Sequence, residues 1–146
     1  MSIGETYLYK GNYKESLKKL EEVLQAYLSL RSENNEEVAR VYQLMGNDYL
    51  KLGEIHQALK FTEKSLNIYR EVLGNSHYST VQGMESVAQL YVNMNLFSEA
   101  ESLLTKAKTT ILETLDEESV EFARNLNFRG KLYYNRGELK LALEVF

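Results

Sequence analysis

Side chains that commonly serve as general bases or metal ligands are sparse in this sequence. It contains two histidines, His56 and His77, and no cysteine. Neither histidine stands with other histidines or carboxylates at the spacing of a metal site, so we interpret one as a surface residue and the other as a junction residue. The acidic pairs Glu36-Glu37 and Glu117-Glu118 stand at predicted helix starts, where the helix dipole favours negative charge. We therefore expect no metal site, no cofactor and no catalytic residues.

Other catalytic and nucleic-acid-binding patterns are also missing. The glycines stand singly and form no phosphate-binding loop, and no Gly-x-Ser-x-Gly nucleophile motif occurs. A Ser-His-Asp arrangement assembled from distant positions stays open. The chain has 17 Lys and Arg against 21 Asp and Glu, whereas nucleic-acid readers combine aromatic residues with net positive charge. We expect neither a nucleic acid nor an anionic membrane as a partner.

Length and composition favour one helical domain. The 146 residues are 44% hydrophobic and 26% charged, which is enough apolar material for a core. Proline is absent, and a chain of this size without proline is usually mostly helical. Residues 1–10 lack the pattern of a secretory signal, and no run of about 18 apolar residues could span a membrane. We therefore expect a cytoplasmic protein.

The sequence repeats with a period of 42 residues. One column holds only tyrosine: Tyr7, Tyr49, Tyr91 and Tyr133. Two columns hold small residues: Gly4, Gly46, Ala88 and Gly130, and then Ser16, Ala58, Ala100 and Ala142. A turn column holds residues that tolerate positive φ: Gly11, Gly53, Asn95 and Gly137. The agreement of these columns indicates an internal repeat.

Each repeat is predicted to form two helices joined at the turn column. Within 38–52 and 55–73, apolar residues recur at spacings of three and four, which describes one helical face. The expected helix caps are Asn34 with Glu37, and Asn75-Ser76, while Asp116 places negative charge at the next helix start, where the helix dipole favours it. The small-residue columns should lie where the two helices cross. The period predicts seven or eight helices and no strand.

These columns resemble the tetratricopeptide repeat (TPR), in which a large apolar residue, Leu-Gly, Tyr, Ala and Phe follow at fixed spacing. The matching residues are Tyr42, Met45-Gly46, Tyr49, Ala58 and Thr62; Met84, Val87-Ala88, Tyr91, Ala100 and Leu104; Leu126, Arg129-Gly130, Tyr133, Ala142 and Phe146; and, in a shortened first copy, Ile3-Gly4, Tyr7, Ser16 and Leu20. The period of 42 and the segment 73–80 resemble the long repeats of kinesin light chains. Ser76 and Tyr78 depart from that junction, and the paired asparagines of those repeats are mostly missing, so kinesin light chain itself is not predicted.

The resemblance implies an all-α fold, an α-solenoid of antiparallel helical hairpins in a right-handed superhelix. The expected organisation is a single TPR-like array segment over 1–146. It divides into a partial repeat 1–38, repeats 39–80 and 81–122, and a partial repeat 123–146. Neither end carries a polar capping helix, so we expect a piece of a longer array, with further repeats of the same chain as neighbours.

The resemblance also implies a concave groove lined by the first helix of each repeat. By register, the polar groove residues are Arg40, Gln43, Asn47, Lys51, Gln82, Glu85, Gln89, Asn93, Arg124, Asn127, Lys131 and Asn135, with Leu50, Val92 and Tyr134 among them. The amides can donate to and accept from a peptide backbone, and four cations face one acid. These residues predict a groove for an acidic partner segment. The alternative is that they form an ordinary solvated helix face.

Arg129 breaks the pattern, because it occupies a column that is apolar in the other copies. A buried, unpaired guanidinium would be costly. Three arrangements stay open: an ion pair with an acid such as Glu138, a helix rotation that turns Phe128 inward, or a face open to a further neighbour.

The function expected from the resemblance is that of a non-catalytic protein–protein interaction scaffold that holds a partner segment. The alternative is a regulatory or spacer array fused to an enzyme, or part of a peptide-sensing regulator. We expect no enzyme activity in this segment itself.

Overall fold

The computed structural model describes the backbone of residues 3–30, 32–115 and 118–145, and the side chains of these ranges from Gly11 onward. Within these ranges all regular structure is α-helix. The helices are α1 (Ile3–Leu30), α2 (Glu36–Lys51), α3 (Ile55–Leu73), α4 (Tyr78–Asn93), α5 (Phe97–Thr114), α6 (Val120–Asn135) and α7 (Leu139–Val145). The predicted all-α fold of helical hairpins is confirmed. None of the helices in the described part of the chain is both long and apolar enough to cross a bilayer.

The 42-residue period reappears in the helix bounds. The first helices of successive repeats, α2, α4 and α6, begin at residues 36, 78 and 120, and the second helices, α3, α5 and α7, begin at 55, 97 and 139. The turn column lies between them in the left-handed region, with φ of 81° at Gly53, 60° at Asn95 and 86° at Gly137. The turns close similarly: in the first, the Gly53 amide donates to Leu50 O at 3.0 Å and the Glu54 amide to Tyr49 O at 2.9 Å.

The first copy differs, because α1 runs through the predicted turn at Gly11 without a break. The prediction of two helices there was wrong. Continuing the helix lets the backbone amides on both sides of Gly11 bond within it, against a cost of about 1 kcal/mol for glycine in a helix interior. The side chains of Ile3, Gly4 and Tyr7, and Phe146 in the last copy, lie outside the described residues.

The helix caps are displaced from the predicted positions by one or two residues. Asn35, not Asn34, caps α2, and its side chain accepts a bond from the Val38 amide at 3.0 Å. His77, not Asn75-Ser76, caps α4 through Nδ1, which accepts from the Ser79 amide at 3.1 Å. Ser119 caps α6. Asp116, expected to place negative charge at the start of that helix, lies outside the described residues.

The chain divides into two compact units, Met1–Val72 and Leu73–Phe146. In unit 1 the two helices of the repeat, α2 and α3, cross closely at Gly46. A Cβ at Gly46 would collide with the Thr62 hydroxyl and would stand 3.3 Å from the Ala58 carbonyl oxygen. The Ser65 hydroxyl also donates to Ala39 O at 2.8 Å, and Ser16 of α1 donates to Asp48 of α2 at 2.6 Å.

Unit 2 holds α4, α5, α6 and α7 around one core. Its buried members are Ala88, Val92, Ala100, Leu104, Leu132, Tyr133 and Ala142. Asn125 of α6 is buried and donates to Leu104 O of α5 at 3.0 Å, which fixes the second helix of one repeat to the first helix of the next. The predicted burial of Ala58, Ala100, Gly46, Ala88 and Gly130 is confirmed.

Arg129 is accommodated without the predicted partner. Its Nη2 donates to Tyr133 Oη at 3.3 Å. Glu138 binds Arg136 instead, at 2.7 Å, and Arg136 also binds Glu101 at 2.9 Å. Phe128 packs against the unit 2 core beside it. The half-buried Arg129 therefore lies over a tyrosine hydroxyl rather than in a carboxylate pair.

Candidate functional site

The candidate site is the polar stripe of the first helices, which we call the first-helix face. On each helix its residues recur at spacings of three, four and four, so they share one side of the helix. The stripe comprises Arg40, Gln43, Asn47 and Lys51 on α2; Gln82, Glu85, Gln89 and Asn93 on α4; and Arg124, Asn127, Lys131 and Asn135 on α6. The α2 part belongs to unit 1, and the α4 and α6 parts belong to unit 2.

In unit 1 the α2 part of the face is open. The Arg40 side chain is 63% exposed and its Nη2 lies 3.6 Å from Glu36 Oε1, one helical turn earlier. Gln43 is half-buried, and its Oε1 accepts from the Tyr69 hydroxyl at 3.4 Å. Asn47 and Lys51 are exposed. This part therefore offers amide groups and one lysine, while Arg40 has an exposed carboxylate beside it.

In unit 2 the same stripe contains a buried ion pair. Glu85 of α4 is 1% exposed, and its Oε2 accepts from Arg124 Nε of α6 at 2.6 Å. Arg124 is 26% exposed, its Nη1 donates to the Tyr78 hydroxyl at 3.2 Å, and its guanidinium lies 5.3 Å from the Tyr78 ring centroid. The pair thus joins the middle of α4 to the first turns of α6 and positions Tyr78 at the start of α4.

The surroundings of Glu85 act on the pKa of its carboxyl in opposite directions. Burial raises the pKa of the Glu85 carboxyl above its ordinary value, and Glu121 raises it further, while Arg124 and Asn125 act to lower it. The net direction is upward, because desolvation is the largest influence. Burial acts to lower the pKa of Arg124, but Glu85 and Tyr78 together raise it above its ordinary value, so the guanidinium stays charged. Glu85 Oε1, Arg124 Nη2 and Asn125 Oδ1 are buried and lack a hydrogen-bond partner among the described residues.

The remaining stripe residues of unit 2 reach solvent. Gln82 and Gln89 are half-buried, and Asn93, Asn127, Lys131 and Asn135 are exposed. Gln89 Nε2 donates to Asn93 Oδ1 at 3.2 Å, a local bond along α4. Lys131 Nζ lies 5.7 Å from the Phe128 ring centroid, and no ion pair to it occurs in the described part of the chain. Lys131 is thus the uncompensated cation of this part of the face.

The structure changes the charge count of the predicted groove. Glu85 was expected to line an open wall, but it is buried, and Arg124 is engaged with it. One of the four predicted cations is therefore neutralised by the one predicted acid, and Arg40 has Glu36 beside it. Lys51 in unit 1 and Lys131 in unit 2 carry the remaining positive charge.

Three apolar residues were expected on the same wall, with different outcomes. Val92 is 4% exposed and belongs to the unit 2 core, so its placement on the wall was wrong. Leu50 is half-buried, and Tyr134 is 64% exposed. Sequence reasoning did not identify Tyr78 as a neighbour of Arg124. The two residues lie 46 positions apart, and only their shared location at the starts of neighbouring first helices could have indicated the contact.

The two histidines have separate places. His56 is exposed in α3, and His77 is the exposed cap of α4. In the parts of the chain that the structure describes, no group of three or more His, Cys, Asp or Glu side chains could hold a metal ion.

A tetratricopeptide repeat family model matches residues 1–71 and 44–110, which together cover most of the chain. The chain belongs to the tetratricopeptide repeat family. Its repeats resemble those of kinesin light chain-related proteins. Kinesin light chain-related protein 3 of Arabidopsis thaliana is 25% identical over 146 residues, and kinesin light chain-related protein 2 of the same plant is 25% identical over 107 residues. These matches cover 99% and 73% of this chain but only 22% and 16% of the relatives, so the chain spans about a fifth of their length.

Solved structures show the same fold. One contains nearly identical TPR-like repeats assigned to a kinesin light chain of Podosopora anserina, with a TM-score of 0.79 at 19% identity over 97% of this chain and 68% of that one. Another is BtubC (BKLC) of P. vanneervenii, with a TM-score of 0.79 at 22% identity over 92% of this chain and 54% of that one. The likeness confirms the predicted TPR-like solenoid class. TPR repeats generally act as scaffolds for protein–protein interactions, and the fold is typically non-catalytic.

Proposed function

We propose that this chain is a non-catalytic adaptor segment in which the α4–α6 part of the first-helix face holds an extended, acidic segment of a protein partner. The observation that carries the proposal is the α4–α6 part of that face. Five amide side chains and Lys131 reach solvent there, in matching columns of two helices that contact each other. We also assign the protein to the cytoplasm, in keeping with a chain that has no cysteine to form disulfides.

The amides support recognition of an extended backbone. A carboxamide offers two donors and an acceptor, so Gln89 and Asn127 can each bond a peptide N–H and C=O at once. The bond between Gln89 and Asn93 is an exposed local one and can be exchanged for a bond to a partner. Because these side chains come from rigid helices, ordering them requires less entropy than ordering a loop would.

The charge preference follows from the uncompensated lysine of the α4–α6 part. The whole chain has a formal charge of -4, yet Lys131 stands on this part of the face without a carboxylate partner among the described residues. An exposed lysine adds modestly to affinity, but it raises the association rate of an acidic segment and disfavours a basic one. Binding should therefore weaken as salt is added.

The test is a selection from a random dodecapeptide library, carried out on the wild-type chain and on two charge-matched variants. Lys131→Glu reverses the charge of the face, while Lys106→Glu makes the same change on α5, where Lys106 is exposed outside the face. We expect the wild type and Lys106→Glu to enrich acidic peptides, and Lys131→Glu to lose that enrichment. The same acidic enrichment with Lys131→Glu would overturn the proposed charge preference. No enrichment with any variant would favour the regulatory or spacer role.

A further inference from the structure

Unit 2 contains an apolar cavity away from the amide residues of the first-helix face. It has a volume of about 310 Å³ and lies where the start of α4, the end of α5 and the start of α6 meet. Its lining residues are Ser76, Tyr78, Val81, Ile111, Thr114, Leu115 and Glu121. Val81 and Ile111 are 4% and 2% exposed, so they belong to the core. Pockets that bind ligands are mostly apolar with a few polar groups at the rim, and this cavity has that composition.

Two large residues that line the cavity also expose apolar surface to solvent. Tyr78 is 49% exposed and Leu115 is 47% exposed, and Val120, which directly precedes the lining residue Glu121, is 77% exposed. Thr114 Oγ1 bonds to the carbonyl oxygens of Thr110 and Ile111, both at 3.3 Å, so its hydroxyl is already satisfied within α5. A partner side chain entering the cavity would therefore not leave the Thr114 hydroxyl without a bond.

One wall of the cavity is fixed in place before any partner arrives. The Tyr78 hydroxyl accepts from Arg124, whose guanidinium also lies against the Tyr78 ring, and Arg124 is in turn bound to the buried Glu85. A preformed wall lowers the entropy lost on binding. The ion pair between Arg124 and Glu85 thus holds Tyr78 in place as one wall of the cavity.

The charge at the cavity is negative. Arg124 is neutralised by Glu85, whereas Glu121 lines the cavity with no ion pair to it among the residues that the structure describes. Glu121 is half-buried in the first turn of α6 and lies near enough to Glu85 to raise the pKa of that carboxyl. A cation beside the cavity would relieve the repulsion between these two carboxylates. The sign is opposite to that of Lys131 further along α6.

We propose that this cavity binds a large aliphatic side chain, of leucine size, that is followed by a lysine or arginine in a protein partner. The aliphatic group fills the space over Val81 and Ile111, and the neighbouring cation pairs with Glu121. The site does not depend on the acidic segment proposed for the amide residues, because it uses other side chains and the opposite charge.

The test uses four end-capped hexapeptides titrated into the whole chain: Gly-Ser-Leu-Lys-Ser-Gly and the versions with Ala for Leu, Glu for Lys, or both. Methyl resonances of Ile111, Val81 and Leu115 report on the cavity, and that of Val92, near the opposite end of α4 from Tyr78, serves as the remote reference. We expect the Leu-Lys peptide to shift the cavity methyls and not those of Val92. Replacing Leu by Ala should weaken binding about tenfold or more, the effect of losing one buried side chain of this size. Replacing Lys by Glu should weaken binding several-fold at low salt and less at high salt.

A matched pair of variants separates the charge from the cavity. Glu121→Gln should remove the preference for Lys over Glu and keep the preference for Leu over Ala. Glu99→Gln, an exposed first-turn position of α5 outside the cavity, should keep both preferences. The proposal is overturned if the Ala and Leu peptides bind equally, if the Leu-Glu peptide binds as well as the Leu-Lys peptide, or if no cavity methyl shifts. These outcomes leave the Lys131 selection unaffected, so the two proposals fail separately.

Discussion

The α2 part and the α4–α6 part of the first-helix face have residues in equivalent sequence columns, but their arginines form different ion pairs. In unit 1, Arg40 lies on the helix surface beside Glu36, with both side chains well exposed. In unit 2, the equivalent Arg124 reaches to the neighbouring first helix and covers Glu85, which is buried. Exposed pairs one turn apart contribute a few tenths of a kcal/mol, whereas breaking a buried pair leaves an uncompensated charge. The same residue type in the same column is therefore a surface cation in one repeat and a structural element in another.

The largest expected effect tests this contrast directly. Arg124→Ala should destabilise the chain by about 3 kcal/mol, because it leaves the Glu85 carboxylate buried without its partner. Arg124 keeps 26% of its side chain in solvent, so the effect should fall at the lower end of the range for buried pairs. Arg40→Ala should change stability by less than about 0.5 kcal/mol. Urea unfolding of the two variants measures both values, and equal losses would show that the two arginines are equivalent.

The helix crossings provide the next comparison. Ala100 is fully buried in the unit 2 core, so Ala100→Leu should overpack the crossing and destabilise the chain by roughly 1–3 kcal/mol. Leucine at the exposed Ser102, on the same helix, should change stability by less than about 0.5 kcal/mol. Thermal unfolding of Ala100→Leu and Ser102→Leu compares the effect of leucine at a helix crossing with its effect on the helix surface. An unchanged melting temperature for Ala100→Leu would place the crossing elsewhere.

The turn column offers two glycines with opposite expected signs. Gly53 has φ of 81°, so Gly53→Ala should be destabilising by about 1 kcal/mol. Gly11 lies within α1 with open space around its Cα, so Gly11→Ala should be stabilising by about 0.5–1 kcal/mol. Chemical denaturation of both variants measures the difference. A destabilised Gly11→Ala protein would indicate that the first copy does turn at Gly11, as the repeat pattern alone predicts.

The smallest expected effect concerns pH. The pKa of Glu85 is raised in the folded chain, chiefly by burial, so protonated Glu85 favours folding and its ionisation opposes folding. Its favourable contribution is present below the unfolded-state pKa and is lost as pH rises through the folded-state value. The unfolding free energy of Glu85→Gln, relative to that of the wild type, should therefore increase between about pH 4 and pH 7.

Glu113→Gln, an exposed carboxylate of α5, is the control for that pH series and should show no such trend. A relative decrease for Glu85→Gln over the same range would mean that attraction to Arg124 outweighs desolvation.

Much of the fold follows from spacing alone. The columns at Gly46, Ala58 and Gly53 predict the crossings and turns, because packing and positive φ restrict those positions to small residues or to Gly and Asn. The first copy departs from the pattern, because glycine is compatible with a helix interior as well as with a turn, so the residue type at Gly11 does not by itself fix a break. The caps shift by one or two residues because several neighbouring polar side chains can each accept a hydrogen bond from a helix-terminal amide.

The candidate site is less predictable for a different reason. Register places Glu85 and Arg124 on one face but does not say that the two side chains meet, because that depends on the distance between α4 and α6. The one indication of this contact in the sequence was that Glu85 is the only acidic residue predicted on the first-helix face. The cavity beside Tyr78 is formed by three helix ends that lie far apart in the sequence, so no local pattern indicates it.

The most direct test of the central claim is a titration with an acidic, end-capped decapeptide from the selection, followed by the side-chain amide resonances of asparagine and glutamine. Asn67 of α3 is exposed outside the first-helix face and provides the internal reference. We predict that the side-chain amide resonances of Gln89, Asn93 and Asn127 shift on binding while that of Asn67 does not, and that Lys131→Glu abolishes these shifts. Shifts confined to Asn67 and other second-helix residues, with Gln89 and Asn127 unchanged, would contradict this prediction.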